Sequence, residues 1–109
     1  MSDWSIEDSR KLYNIDGLFK SRYYSIDEQG YLLLRIGDRW IRLYDLVHGH
    51  NLESAYIRVL PWIKELMDEV YSIFNQYIKK YGYSGGFIPV YPLKANSNPL
   101  IVDTIYEYG

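Results

Sequence analysis

Residues 55–96 read AYIRVLPWIKELMDEVYSIFNQYIKKYGYSGGFIPVYPLKAN, and how this stretch divides into elements decides the fold. Its middle is periodic. Ile63, Leu66, Met67, Val70, Phe74, Tyr77 and Tyr81 recur at spacings of three and four, which gathers them on one face of a helix. Pro61 suits the first turn, because the N–H it lacks has no intrahelical partner there. Glu65 and Asp68 lie early and Lys79 and Lys80 late, the charge order that complements the helix dipole, and Gly82 is a stop. The spacing therefore predicts one amphipathic helix over Trp62–Tyr81, about five turns long. On either side lie short apolar runs of strand composition, Ala55–Leu60 and Phe87–Leu93. Ser97-Asn98-Pro99 is cap and first turn for a last helix ending at Gly109. The order strand, helix, strand, helix predicts βα units with parallel strands, right-handed connections, and functional groups at the carboxyl ends of the strands. Lys94 stands at such an end. Pro89 and Pro92 count against a central place in a sheet for the second run.

Toward the amino terminus the periodicity changes from helical to alternating. Ser5 with Asp8 three positions on is a capping-box pattern, opening a short helix through about Tyr13 that stops at Asn14-Ile15-Asp16-Gly17, with a turn after it. Tyr23–Ile26 and Tyr31–Ile36 are β-rich runs joined by the turn residues Asp27-Glu28-Gln29-Gly30. Gly37-Asp38 turns the chain again into Trp40–Tyr44, where apolar and polar residues alternate. These form a small antiparallel meander, which needs a further element against one face because three short strands bury little surface. Asp45–Ser54 is expected to be mostly loop, with a short helix around Leu46 and Val47. The expected division is 1–54 for the helix and meander and 55–109 for the βα part.

Composition narrows the function classes. Apolar residues make up 48% and charged residues 24% of the 109, an ordinary balance for a folded globular chain. The formal charge of −2 comes from interspersed acids and bases, so no electrostatic footprint for nucleic acid or an anionic membrane is present. No cysteine occurs, which excludes disulfides and thiolate metal sites and suits a cytoplasmic location. The start Met1-Ser2-Asp3-Trp4 has neither the charge nor the apolar core of a secretory signal. His48 and His50 share a glycine-containing loop with no carboxylate at metal spacing and read as solvated loop residues. The 13 tyrosines are expected to pack with rings buried and hydroxyls wet.

Lys94 by itself is an unremarkable strand-end charge. Its setting is not: Gly82-Tyr83-Ser84-Gly85-Gly86-Phe87-Ile88-Pro89-Val90-Tyr91-Pro92-Leu93-Lys94-Ala95-Asn96 resembles the cofactor-lysine segment of biosynthetic arginine decarboxylases. Trp4–Ser9 and Leu12–Ile15 resemble that family's opening segment, Tyr24–Arg35 its early hairpin, and Ile41–Val47 the stretch leading into its barrel. Leu93 and Ala95 stand where isoleucine and valine are usual, Pro89 where a small residue is common, and the region from His48 to Ser54 is shortened. Lys94-Ala95-Asn96 is also the form seen in diaminopimelate decarboxylases, so the segment speaks more firmly for the cofactor than for the substrate.

The resemblance implies an α/β chain in which the antiparallel meander is followed by the first βα units of a pyridoxal-phosphate-binding (β/α)8 barrel. It implies pyridoxal 5'-phosphate as cofactor, held by Lys94 as the catalytic and cofactor-binding residue, with magnesium besides. Such a lysine condenses with the cofactor's aldehyde and is displaced by the incoming amino acid. The implied reaction converts L-arginine to agmatine and carbon dioxide, in polyamine synthesis, within a homo-oligomer. Tyr91 and Asn96 flank the lysine, with packing and helix capping as their expected roles. A whole barrel takes about 250 residues, so the chain is expected to be an amino-terminal portion, inactive alone, or one piece of an enzyme completed by a second polypeptide. Ornithine or diaminopimelate as substrate, and a noncatalytic interaction module, are the alternatives.

Overall fold

A computed structural model describes residues 3–18 and 22–109, arranged as two compact units, 1–57 and 58–109. In the first unit, helix α1 spans Ile6–Leu12 and opens with the expected capping box. The Asp8 backbone N–H donates to Ser5 Oγ, and the Asp8 carboxylate accepts from the Ser5 backbone N–H at 2.9 Å. Two amide donors that the first turn leaves unpaired are thereby satisfied. Asn14, at φ 47, breaks the helix. The chain then enters another short helix, α2 (Ile15–Leu18), where a simple turn was expected. The Arg10–Asp16 ion pair at 3.0 Å ties the two helices across the break.

The meander forms as the alternation predicts. Strands β1 (Tyr24–Ile26), β2 (Leu32–Ile36) and β3 (Arg39–Arg42) make one antiparallel sheet in sequence order, with Leu34 paired to Tyr24 on one side and Ile41 on the other. Leu34, on the central strand, is the buried apolar residue among those described, at 5% exposure. Asp27 organises the first hairpin: its Oδ1 accepts from the backbone N–H groups of Gln29 and Tyr31, each at 3.0 Å, while Arg42 reaches its Oδ2 at 2.6 Å. The third strand stops at Arg42 rather than Tyr44. The short helix expected around Leu46 and Val47 forms as α3 (Leu43–Gly49), extended at its end by His48 and Gly49, which were expected as loop, and it packs on β2 and β3 and supplies the cover a three-stranded sheet needs.

In the second unit, helix α4 spans Pro61–Tyr81, one residue longer at its start than the periodicity indicates. Gly82 ends it in the left-handed region at φ 63, its N–H reaching the Ile78 and Lys79 carbonyls. Helix α5 spans Pro99–Tyr108, capped by Asn98, whose side chain accepts from the Leu100 N–H. The two helices pack on each other, and Tyr108 Oη donates to Asp68 Oδ1 at 2.7 Å between them.

The expectation of two neighbouring parallel strands is not met. Among the described residues the meander is the sheet, and neither 55–60 nor 87–93 carries a strand ladder. The physical reasons differ. The first segment straddles the boundary between the two units. In the second, Pro89 and Pro92 remove two of seven backbone donors, and Phe87 is instead held by aromatic packing on α4. Its ring stacks on Phe74 at 3.9 Å and meets Tyr71 edge-on at 5.6 Å. The observed class is thus mixed α/β with an antiparallel sheet and helices.

Candidate functional site

Lys94 is carried on a tight turn between segment 86–92, which has no regular secondary structure, and α5. The Ala95 N–H donates to the Pro92 carbonyl at 2.9 Å, which closes the turn over Leu93 and Lys94. Neither of those two residues has a positive φ, so the turn forms without backbone strain. A further run of bonds carries the chain into the helix. Asn96 Oδ1 accepts from the Asn98 N–H at 3.0 Å, and Asn98 Oδ1 accepts from the Leu100 N–H at 3.1 Å. Lys94 itself is exposed, and no hydrogen bond or ion pair among the described residues engages its ammonium. A strand end was expected, and a hydrogen-bonded turn is found. A lysine so placed presents its amine without having to break an ion pair.

Tyr91 and Asn96, which flank the lysine in sequence, are brought together. The Tyr91 hydroxyl donates to the Asn96 carbonyl at 2.9 Å, bridging the loop that bears Lys94. Its ring faces an apolar groove of about 360 Å³ whose walls include Ile63, Met67 and Val70 of α4 and Ile105 of α5. Both this groove and the Tyr108–Asp68 bond escaped the sequence, because they join positions far apart in the chain. The bond to Asp68, then partial burial and the Asp68 charge, push the Tyr108 hydroxyl up to about 12.

The histidines stand apart from Lys94 in the chain and belong to the other unit. His48 lies on α3 with its ring 4.0 Å from that of Tyr44, and the His50 Nδ1–H donates to the Leu46 carbonyl at 3.1 Å. Among the described residues no three His, Cys, Asp or Glu side chains come together as a metal would need. No described helix is long and apolar enough to cross a membrane.

Known proteins resemble this chain along nearly its whole length. It is 31% identical over 117 aligned positions to the biosynthetic arginine decarboxylase of Gloeobacter violaceus, with 100% of this chain and 18% of that protein covered. For the protein of the same name from Bacteroides thetaiotaomicron the identity is 30%, again with 100% of this chain and 18% of the relative covered. For that of Thermosynechococcus vestitus it is 29%, with 99% and 18% covered. No family model matches the chain, and no solved structure does. The chain spans about 18% of the length of these curated relatives. Over that span it is similar to the biosynthetic arginine decarboxylases.

Proposed function

We propose that this chain provides the cofactor lysine of a pyridoxal-phosphate-dependent arginine decarboxylase, and that Lys94 is that lysine. The observation that carries the proposal is an exposed amine with no competing partner, set on a hydrogen-bonded turn inside the Tyr91–Asn96 string. The names of the relatives favour arginine over ornithine or diaminopimelate as the amino acid, and agmatine and carbon dioxide as the products. The amine fits the cofactor's aldehyde. When bound, pyridoxal phosphate supplies an electron sink for the pair left as the carboxylate departs.

Lys94 holds and releases the cofactor, and its nucleophilicity depends on the fraction present as free amine. The loop closed by Tyr91 fixes the backbone from which the side chain extends. Among the described residues no three His, Cys, Asp or Glu side chains come together to hold magnesium. Within this proposal residues 1–54 are an amino-terminal helix and meander, and 55–109 open the cofactor-binding barrel, the remainder of which is supplied by further polypeptide. A cytoplasmic, homo-oligomeric enzyme is part of the same proposal.

The test is a chimera in which residues 1–109 replace the matching segment of the Gloeobacter violaceus relative. Agmatine should form from arginine, and Lys94→Ala should abolish both that activity and the trapping of cofactor by borohydride at this position. Undiminished activity in Lys94→Ala would assign the cofactor to another lysine.

A further inference from the structure

Three features of the second unit fall outside the role given to Lys94: the apolar groove, the Tyr108–Asp68 bond, and the contact from Tyr91 to Asn96. The last reaches the Lys94 loop directly. We propose that Tyr91 is a positioning residue, which clamps the turn carrying Lys94 by anchoring its ring in the groove and bonding its hydroxyl to the Asn96 carbonyl.

The geometry divides the residue into two working parts. Tyr91 is half-buried and lines the apolar groove together with residues of α4 and α5. The hydroxyl spans five residues of chain to the Asn96 carbonyl at 2.9 Å. Between these points lies the turn closed by the Ala95 N–H and the Pro92 carbonyl. Asn96 is held a second time, through its own side chain, to the Asn98 cap of α5. The Lys94 loop therefore starts at a groove-lining tyrosine, ends at the α5 cap, and has its two ends joined by the phenol. Without the phenol, the link between the two ends is lost and the turn closed by Ala95 and Pro92 stands on its own bond. The clamp leaves the lysine amine untouched, so it acts on where the side chain starts and not on its chemistry.

The proposal rests on the assignment of Lys94 for its meaning, but its geometry is tested separately. Tyr91→Phe keeps the ring and removes the bond. In the 109-residue chain, amide exchange measured by NMR should accelerate at Ala95 by about threefold to tenfold, a change on the scale of one exposed hydrogen bond, with the amides of α4 and α5 unaltered. Unchanged exchange at Ala95, or equal acceleration throughout both helices, overturns the clamp. Lys94→Ala should leave Ala95 exchange as it is, which separates failure of the clamp from failure of the lysine assignment. In the chimeric decarboxylase, Tyr91→Phe should lower kcat severalfold with the arginine KM held and should shift the visible band of bound cofactor. Loss confined to KM, with the band unmoved, would also overturn the positioning role.

Discussion

Asp27 shows how one side chain can organise a hairpin. Burial by itself pushes its carboxyl up, but the backbone N–H groups of Tyr31 and Gln29 and the Arg42 guanidinium together outweigh that and hold it below the ordinary carboxylate value. The stabilisation this represents is present above the unfolded value near 4 and is lost as pH falls through the lowered folded one. Asp8 follows the same direction, held down by the Ser5 hydroxyl and the Ser5 backbone N–H. Urea titrations followed by circular dichroism should show the 1–57 unit weakening below about pH 4. Asp27→Asn should flatten that dependence, and Asp27→Asn with Asp8→Asn should flatten it further. These two residues also mark what the sequence discloses. Ser5 and Asp8 are three apart and announce their box, and Asp27 begins a recognisable turn, but the reach of Arg42 to Asp27 depends on strand register and is invisible until β2 and β3 are placed.

Element by element, legibility followed the range of the interaction. Helix α4 was readable because its face, its proline start and its glycine stop are all local. Gly82 occupies the left-handed region, and a Cβ added there meets nothing within 4 Å, so the cost of a side chain is conformational alone. Gly82→Ala should therefore destabilise the 58–109 unit by about 1 kcal/mol, measured as a lowered urea midpoint with an unchanged slope. The two apolar runs beside α4 misled, because composition marks a segment fit for a sheet and does not supply the partner that makes it a strand. What holds α5 to α4 could not have been read either. Asp68 and Tyr108 are 40 residues apart. Raising the Tyr108 value to about 12 means the folded unit keeps the phenol proton after the unfolded chain has lost it. The contribution is full below the ordinary tyrosine value near 10 and disappears as pH rises through about 12. Spectrophotometric titration should reveal one tyrosine ionising last, and Tyr108→Phe should remove that late step.

At the scale of the whole molecule, the similarity to arginine decarboxylases extends over nearly all of the chain but over only about 18% of each relative. An enzyme that decarboxylates through pyridoxal phosphate must seat an anionic phosphate, balance the ring nitrogen and orient the carboxylate that leaves. Around Lys94 the described loop offers the amine, and the N–H groups of Asn98 and Leu100 are committed to the Asn96 and Asn98 side-chain oxygens. No arginine or second lysine lies within residues 86–98 to balance the charge of a phosphate. The 109-residue polypeptide, purified by itself, is therefore expected to bind pyridoxal phosphate only weakly and without preference for Lys94 over the other five lysines. Borohydride trapping followed by peptide mass spectrometry should find the label spread among them. Carbon dioxide release from labelled arginine should stay at the level of free cofactor, because holding reactants in geometry supplies on the order of 7 to 11 kcal/mol of a barrier, and the described loop around Lys94 brings no second cation to the amine. Enzyme-like release that vanishes in Lys94→Ala would show that copies of the chain complete the site between them, and the need for further polypeptide would fall.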